Sequence, residues 1–156
     1  MKLRQWIVTL ACVAGYSLSS QVLAADHVVE MLDQDDGAAM VFKPMYLKVE
    51  PGDKVTFKPT HKSHYVKLMT APTGFTKFTS KEDESYTVVF DKAGVYFYVC
   101  PPHMMMAMIG AIQVGQGEDV ASQVPAAVKT VNNLRGRMMS NAERADALVQ
   151  KMQEVR

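Results

Sequence analysis

Between residues 25 and 117 this chain alternates short apolar-rich runs with turn residues. Lys54-Val55-Thr56-Phe57-Lys58 switches between polar and apolar at each step, the period of a strand with one face buried. His27–Leu32 and Tyr46–Val49 are rich in strand formers. Glu50-Pro51-Gly52-Asp53 then puts Pro and Gly at the second and third positions of a turn. Further strands are predicted over His64–Met69, Ser85–Phe90, Val95–Cys100 and Gly110–Val114, with Lys92-Ala93-Gly94 reversing the chain between two of them. Strands this short and this closely spaced predict a β-sandwich or barrel.

After Gly117 the period changes. Ala126, Ala127, Val128 and Val131 suit a short helix whose first turn holds Pro125. Ala142, Ala145, Leu148, Val149, Met152 and Val155 share one face of a second helix, and Ser140 with Glu143 reads as a capping box at its start. The expected organisation is a β domain over residues 25–117, with a helical extension over 118–156 folded onto it.

The first residues follow a different rule. Lys2 and Arg4 precede an apolar run from Trp6 to Gly15, and small residues surround Ala24, the pattern of an export signal cut after residue 24. Cys12 lies too early in that segment, behind Thr9-Leu10-Ala11, to read as a lipidation site. Removing 24 of the 156 residues leaves 132, enough for one domain with a real core. Without Lys2 and Arg4 the 17 basic residues become 15 against 16 acidic ones. That balance gives no reason to expect nucleic acid or another charged polymer as partner. No later apolar run is long enough to span a bilayer, so the processed chain is expected to be a soluble monomer without membrane contact.

Export changes how the cysteines are read. The chain has two, and loss of Cys12 would leave Cys100 without a partner in an oxidising compartment. Cys100 opens the run CPPHMMMAM, which gathers a thiol, an imidazole and four thioethers. Cys100 and His103 can turn inward on one tight loop, and thiolate with imidazole suits copper or zinc. Zinc would need more Cys or His, for which His27, His61 and His64 are available. Methionines favour copper over zinc. Two His, one Cys and a long axial Met make an electron-transfer copper site, to which His64 can bring the second imidazole. A hydrolase using Cys100 as nucleophile and His103 as base fits poorly, because no oxyanion site is evident.

ADHVVEMLDQDDGAAMVFKP, LKVEPGDKVTFKPTHKSH and DKAGVYFYVCPPHMMMAMIGAIQVG, followed by helices, resemble the cupredoxins and among them the pseudoazurins. The resemblance runs through nearly all of the expected mature chain. It implies an eight-stranded Greek-key sandwich with two C-terminal helices, one copper ion, and one-electron transfer in the periplasm rather than enzymatic catalysis. It also implies His64, Cys100, His103 and Met108 as metal ligands, with Met106 as the rival axial ligand and His61 as the rival to His64. Two positions depart from the family. Tyr65 and Pro101 stand where an Asn and a Ser or Thr usually tie the two ligand loops together. Pro101 and Pro102 have no N–H to offer the Cys100 sulfur, which leaves the Tyr65 N–H as the candidate donor.

The same resemblance implies docking of redox proteins, such as a copper nitrite reductase, a nitrous-oxide reductase or a c-type cytochrome, around His103, Met104, Met105 and Lys62. Pro102 and Met106 complete the expected apolar ring. A copper-carrier role is the alternative that the run Met104-Met105-Met106 suggests. Cleavage after Ala24 would also leave Ala25-Asp26-His27 as a possible second Cu(II) site, unless His27 is taken up by the first strand.

Overall fold

The computed structural model describes residues 23–156. The expected export signal therefore lies, up to residue 22, outside the described residues. No helix among the described residues is long and apolar enough to cross a membrane.

Eight strands build the domain: β1 Asp26–Asp35, β2 Ala38–Lys43, β3 Tyr46–Val49, β4 Asp53–Pro59, β5 Lys67–Thr70, β6 Tyr86–Phe90, β7 Gly94–Val99 and β8 Ile109–Val114. They form two four-stranded sheets, ordered β2-β1-β4-β6 and β3-β8-β7-β5. The pairs β1·β4 and β3·β8 are parallel, and the other pairs are antiparallel. This is the Greek-key sandwich that the resemblance implied.

The strand pattern alone does not predict β2. It follows a two-residue loop in which Asp36 and Gly37 have φ of 46° and 83°, with Asp35 opposite Ala38. Positive φ at both loop residues belongs to the hairpin turn whose twist matches the flanking strands, and Asp-Gly is its sequence signal. Strand β5 starts later than expected. His64, Tyr65 and Val66 are irregular because other partners take their backbone. Val66 N–H donates to Ser80 Oγ at 3.1 Å, and Ser80 N–H donates to Val66 O at 2.9 Å.

Period-two alternation divides β7 between two cores. Tyr96, Tyr98 and Cys100 point between the sheets with Phe42, Phe57, Met108 and Ile112. Val95, Phe97 and Val99 point the other way, under the helices. With apolar cover on both faces, β7 and β8 are buried along their whole length. Cys100 therefore arrives inside the sandwich by strand parity.

A short turn of helix, α1 Glu118–Ala121, precedes the two expected helices, α2 Val124–Arg135 and α3 Glu143–Gln153. Pro125 sits in the first turn of α2, where its missing N–H costs nothing. Val124, Ala127 and Val131 of α2, with Ala145, Leu148 and Met152 of α3, cover the outer face of β7 and β8. The expected capping box does not form. Ala142, the residue before α3, offers no side-chain cap, because Ser140 N–H is turned to Met105 O at 3.3 Å and Asn141 has φ of 56°. The residues before α3 are used to reach the CPPHMMMAM loop instead.

Candidate metal centre

Cys100 follows β7 directly, and the next residues, Pro101–Met106, wind into a short 3-10 helix. The two prolines fix its entry, and Ala107 closes it in the left-handed region at φ 57°. Backbone hydrogen bonds pin both ends of the loop together. Cys100 N–H donates to Met108 O at 3.0 Å, Met108 N–H to His103 O at 3.2 Å, and His103 N–H to Cys100 O at 3.1 Å. This closure keeps His103 and Met108 on the same short loop as the cysteine, and Met108 shares its buried core.

The opposing arm brings His64. Its Nδ1 lies 3.8 Å from Cys100 Sγ, and His103 Nδ1 lies 3.5 Å from the same sulfur. One ligand atom from each of the three residues lies within 4.8 Å of the others. The two imidazoles meet edge to face, with centroids 4.9 Å apart. His64, Cys100 and Met108 are fully buried, whereas His103 is half-buried at the end of the sandwich.

Electrostatics favour a neutral or metal-bound pocket over a free charged one. Burial pushes the Cys100 thiol up, and N–H groups of Tyr65 and His103 partly pull it back. Tyr65 N–H, the candidate expected from the sequence, acts on the thiol in that direction, and so does the His103 N–H, which donates to Cys100 O at 3.1 Å. Burial, with His64 nearby, pushes the His103 imidazole below its ordinary value. A soft sulfur and the ring nitrogens of two imidazoles, gathered in one buried pocket, are the donor chemistry that copper takes.

The other sequence candidates lie elsewhere. His61 is exposed, and its Nδ1 accepts the Asp33 N–H at 2.9 Å. His27 is taken up by β1, with Nε2 2.8 Å from Asp53 Oδ2, while Ala25 N–H donates to Asp53 Oδ1 at 2.8 Å. Both ends of the would-be Ala25-Asp26-His27 site are therefore already engaged. Met104 turns toward the core beneath the helices, Met106 is half-buried, and Met105 is 50% exposed. Lys62 is exposed on the His64 arm. No local signal in the chain points to Met139. It is 82% exposed, and its N–H donates to Met105 O at 2.7 Å, which sets it beside the loop from the α2–α3 turn.

Residues 29–115 match the family model for copper binding proteins of the plastocyanin/azurin family. The pseudoazurin of Paracoccus pantotrophus is 40% identical over 111 residues, spanning 70% of this chain and 77% of that protein. This chain belongs to the pseudoazurins. The crystal structure of the pseudoazurin from Methylobacterium extorquens AM1 superposes with a TM-score of 0.68 at 32% identity, covering 82% of this chain and 99% of that one. The pseudoazurin of Hyphomicrobium denitrificans gives 0.60 at 31% identity, over 71% and 97%. As a pseudoazurin, the chain is a copper-binding electron-transfer cupredoxin. It presents a thiol and two imidazoles together, with Met108 beside them in the same core.

Proposed function

We propose that the protein is exported by loss of residues 1–24 and works in the periplasm as a one-electron carrier with a single copper held by His64, Cys100, His103 and Met108. One observation carries the reading: a buried thiol with the Nδ1 atoms of two histidines at 3.8 and 3.5 Å. Copper bound there supplies a one-electron couple. The chain contributes the rest. Strand parity and the backbone bonds between Cys100, His103 and Met108 hold the donors in place, so little need move when the charge changes. Burial of His64, Cys100 and Met108 excludes water. His103 alone connects this interior to the surface and forms the route by which an electron enters or leaves.

Met108 is preferred to Met106 as the axial ligand because it is fully buried in the core that holds Cys100, whereas Met106 is half-buried. The docking face is formed by His103, Pro102, Met105 and Met106, with Met104 at its edge turned inward and Lys62 alongside. Its apolar centre suits brief contacts with redox partner proteins such as a nitrite reductase, a nitrous-oxide reductase or a c-type cytochrome. A copper-carrier role is the second reading, supported by the outward exposure of Met105 and Met139 beside the site.

The test is the visible spectrum of the mature protein with one equivalent of Cu(II), before and after ascorbate. An intense blue or green band that bleaches and returns with oxidant is expected, and Cys100→Ser should abolish it. A faint band, or colour that survives Cys100→Ser, would refute the electron carrier and leave the copper carrier.

A further inference from the structure

The loop that carries His64 lacks the usual side-chain tie to the cysteine loop, because Tyr65 and Pro101 occupy the tying positions. Two aspartates hold it instead. Asp83 Oδ1 accepts the His64 N–H at 3.2 Å, and Asp83 N–H returns to His64 O at 2.9 Å. On the other side, Asp33 Oδ1 lies 2.9 Å from His64 Nε2. The Asp33 backbone N–H also binds His61 Nδ1 at 2.9 Å, so strand β1 grips this loop at two points.

We propose that Asp33 is the positioning residue of the copper site: its carboxylate fixes the His64 ring with Nδ1 toward Cys100 and tilts the couple toward Cu(II). The inference rests on the copper reading above. An imidazole has two nitrogens, and the one that faces a metal is decided by the bond the other makes. Here Nε2 donates to Asp33, which leaves Nδ1 free to point at the sulfur. The His64 ring is fully buried, so no solvent competes for that Nε2–H, while the Asp33 side chain is 52% exposed. The carboxylate therefore faces solvent on one side and a fully buried ring on the other. A negative partner makes the imidazole a stronger donor and adds charge that favours the higher oxidation state. Both effects have the same sign.

The test is voltammetry of the copper-loaded protein at fixed neutral pH, with wild type compared to Asp33→Asn, Asp33→Ala and Asp35→Asn. Asparagine keeps an acceptor oxygen for Nε2–H and removes only the charge. Loss of a partner of this kind changes metal affinity by about 10- to 100-fold. A selective tenfold loss of Cu(II) affinity raises the potential of Asp33→Asn by about 59 mV, since tenfold is 59 mV for one electron. Its visible band should be preserved. Asp33→Ala should raise the potential as well, shift the band, and lose the downfield Nε2–H resonance of His64. Asp35, on the same strand but paired with Lys43 Nζ at 2.6 Å, is the control for bulk charge and should leave the potential where it was.

An unchanged potential in Asp33→Asn, with the wild-type band intact, overturns the role of Asp33 and spares the copper reading. An equal rise in Asp35→Asn also overturns it, because the effect would then be long-range charge. A wild-type protein without an intense band overturns both.

Discussion

Gly110→Ala adds one methyl group where the sheet leaves no room for it. Gly110 pairs with Tyr98 across β7 and β8. A Cβ built on Gly110 would stand 2.6 Å from Cε2, Cζ and Oη of the Tyr98 ring. The ring has nowhere to retreat, because it is fully buried with Phe42 and Phe57 edge-on at 4.9 and 5.0 Å. Overpacking of this kind costs about 1–3 kcal/mol. Alanine restricts the unfolded chain more than glycine does, which returns about 0.4–1 kcal/mol. The net expectation is a loss of about 1–2 kcal/mol, or roughly 3–8 °C in midpoint for a chain of this size. Denaturant unfolding of the copper-free protein is the proper assay, since bound metal would add its own stabilisation. An Ala variant as stable as wild type, or more so, would refute the close approach of Tyr98 to β8. It would also remove the reason given for a glycine two residues beyond Met108.

Two further substitutions test other parts of the structure. Met108→Leu should keep copper but shift the visible band and raise the potential, while Met106→Leu should leave both alone, since only Met108 shares the Cys100 core; the opposite pattern would make Met106 the axial ligand. Asp53 is buried and accepts from Ala25 N–H, Glu50 N–H and His27 Nε2 at 2.8, 3.0 and 2.8 Å, so Asp53→Ala should cost about 1–3 kcal/mol by removing their shared acceptor. The Ala25 N–H foremost, with Glu50 and His27 adding, holds the Asp53 carboxyl below its ordinary range against the opposing effect of burial. A depressed carboxyl stabilises the fold above its unfolded value of about 3.9, and that contribution disappears as pH falls through the folded value. The stability curve of Asp53→Ala should therefore fall less steeply in acid than that of wild type, and parallel acid limbs would contradict the assignment.

The sequence by itself determined what depends on neighbours along the chain. Alternation along β4 set its faces, whereas β7 is apolar throughout and only the packed sheets and helices assign Tyr96, Tyr98 and Cys100 to the sandwich. The CPPHMMMAM run brought Cys100, His103 and Met108 onto one loop, which short backbone bonds then closed. Strand β2 was legible too, since Asp36-Gly37 carries the hairpin signal that a search for alternation passes over. The tertiary structure decided what depends on distant partners. Ser140 and Glu143 make a plausible capping box in isolation, yet the Met105 carbonyl claims the Ser140 N–H and the cap is lost. His64 reads as the start of a strand, but Ser80 and Asp83 hold its arm open. No spacing rule links Asp33 to His64 or Met139 to Met105. Each pair is joined by hydrogen bonds across more than thirty residues, and such contacts exist only once the sheets and helices have packed. Local pattern chose the donors, and non-local packing chose what holds them.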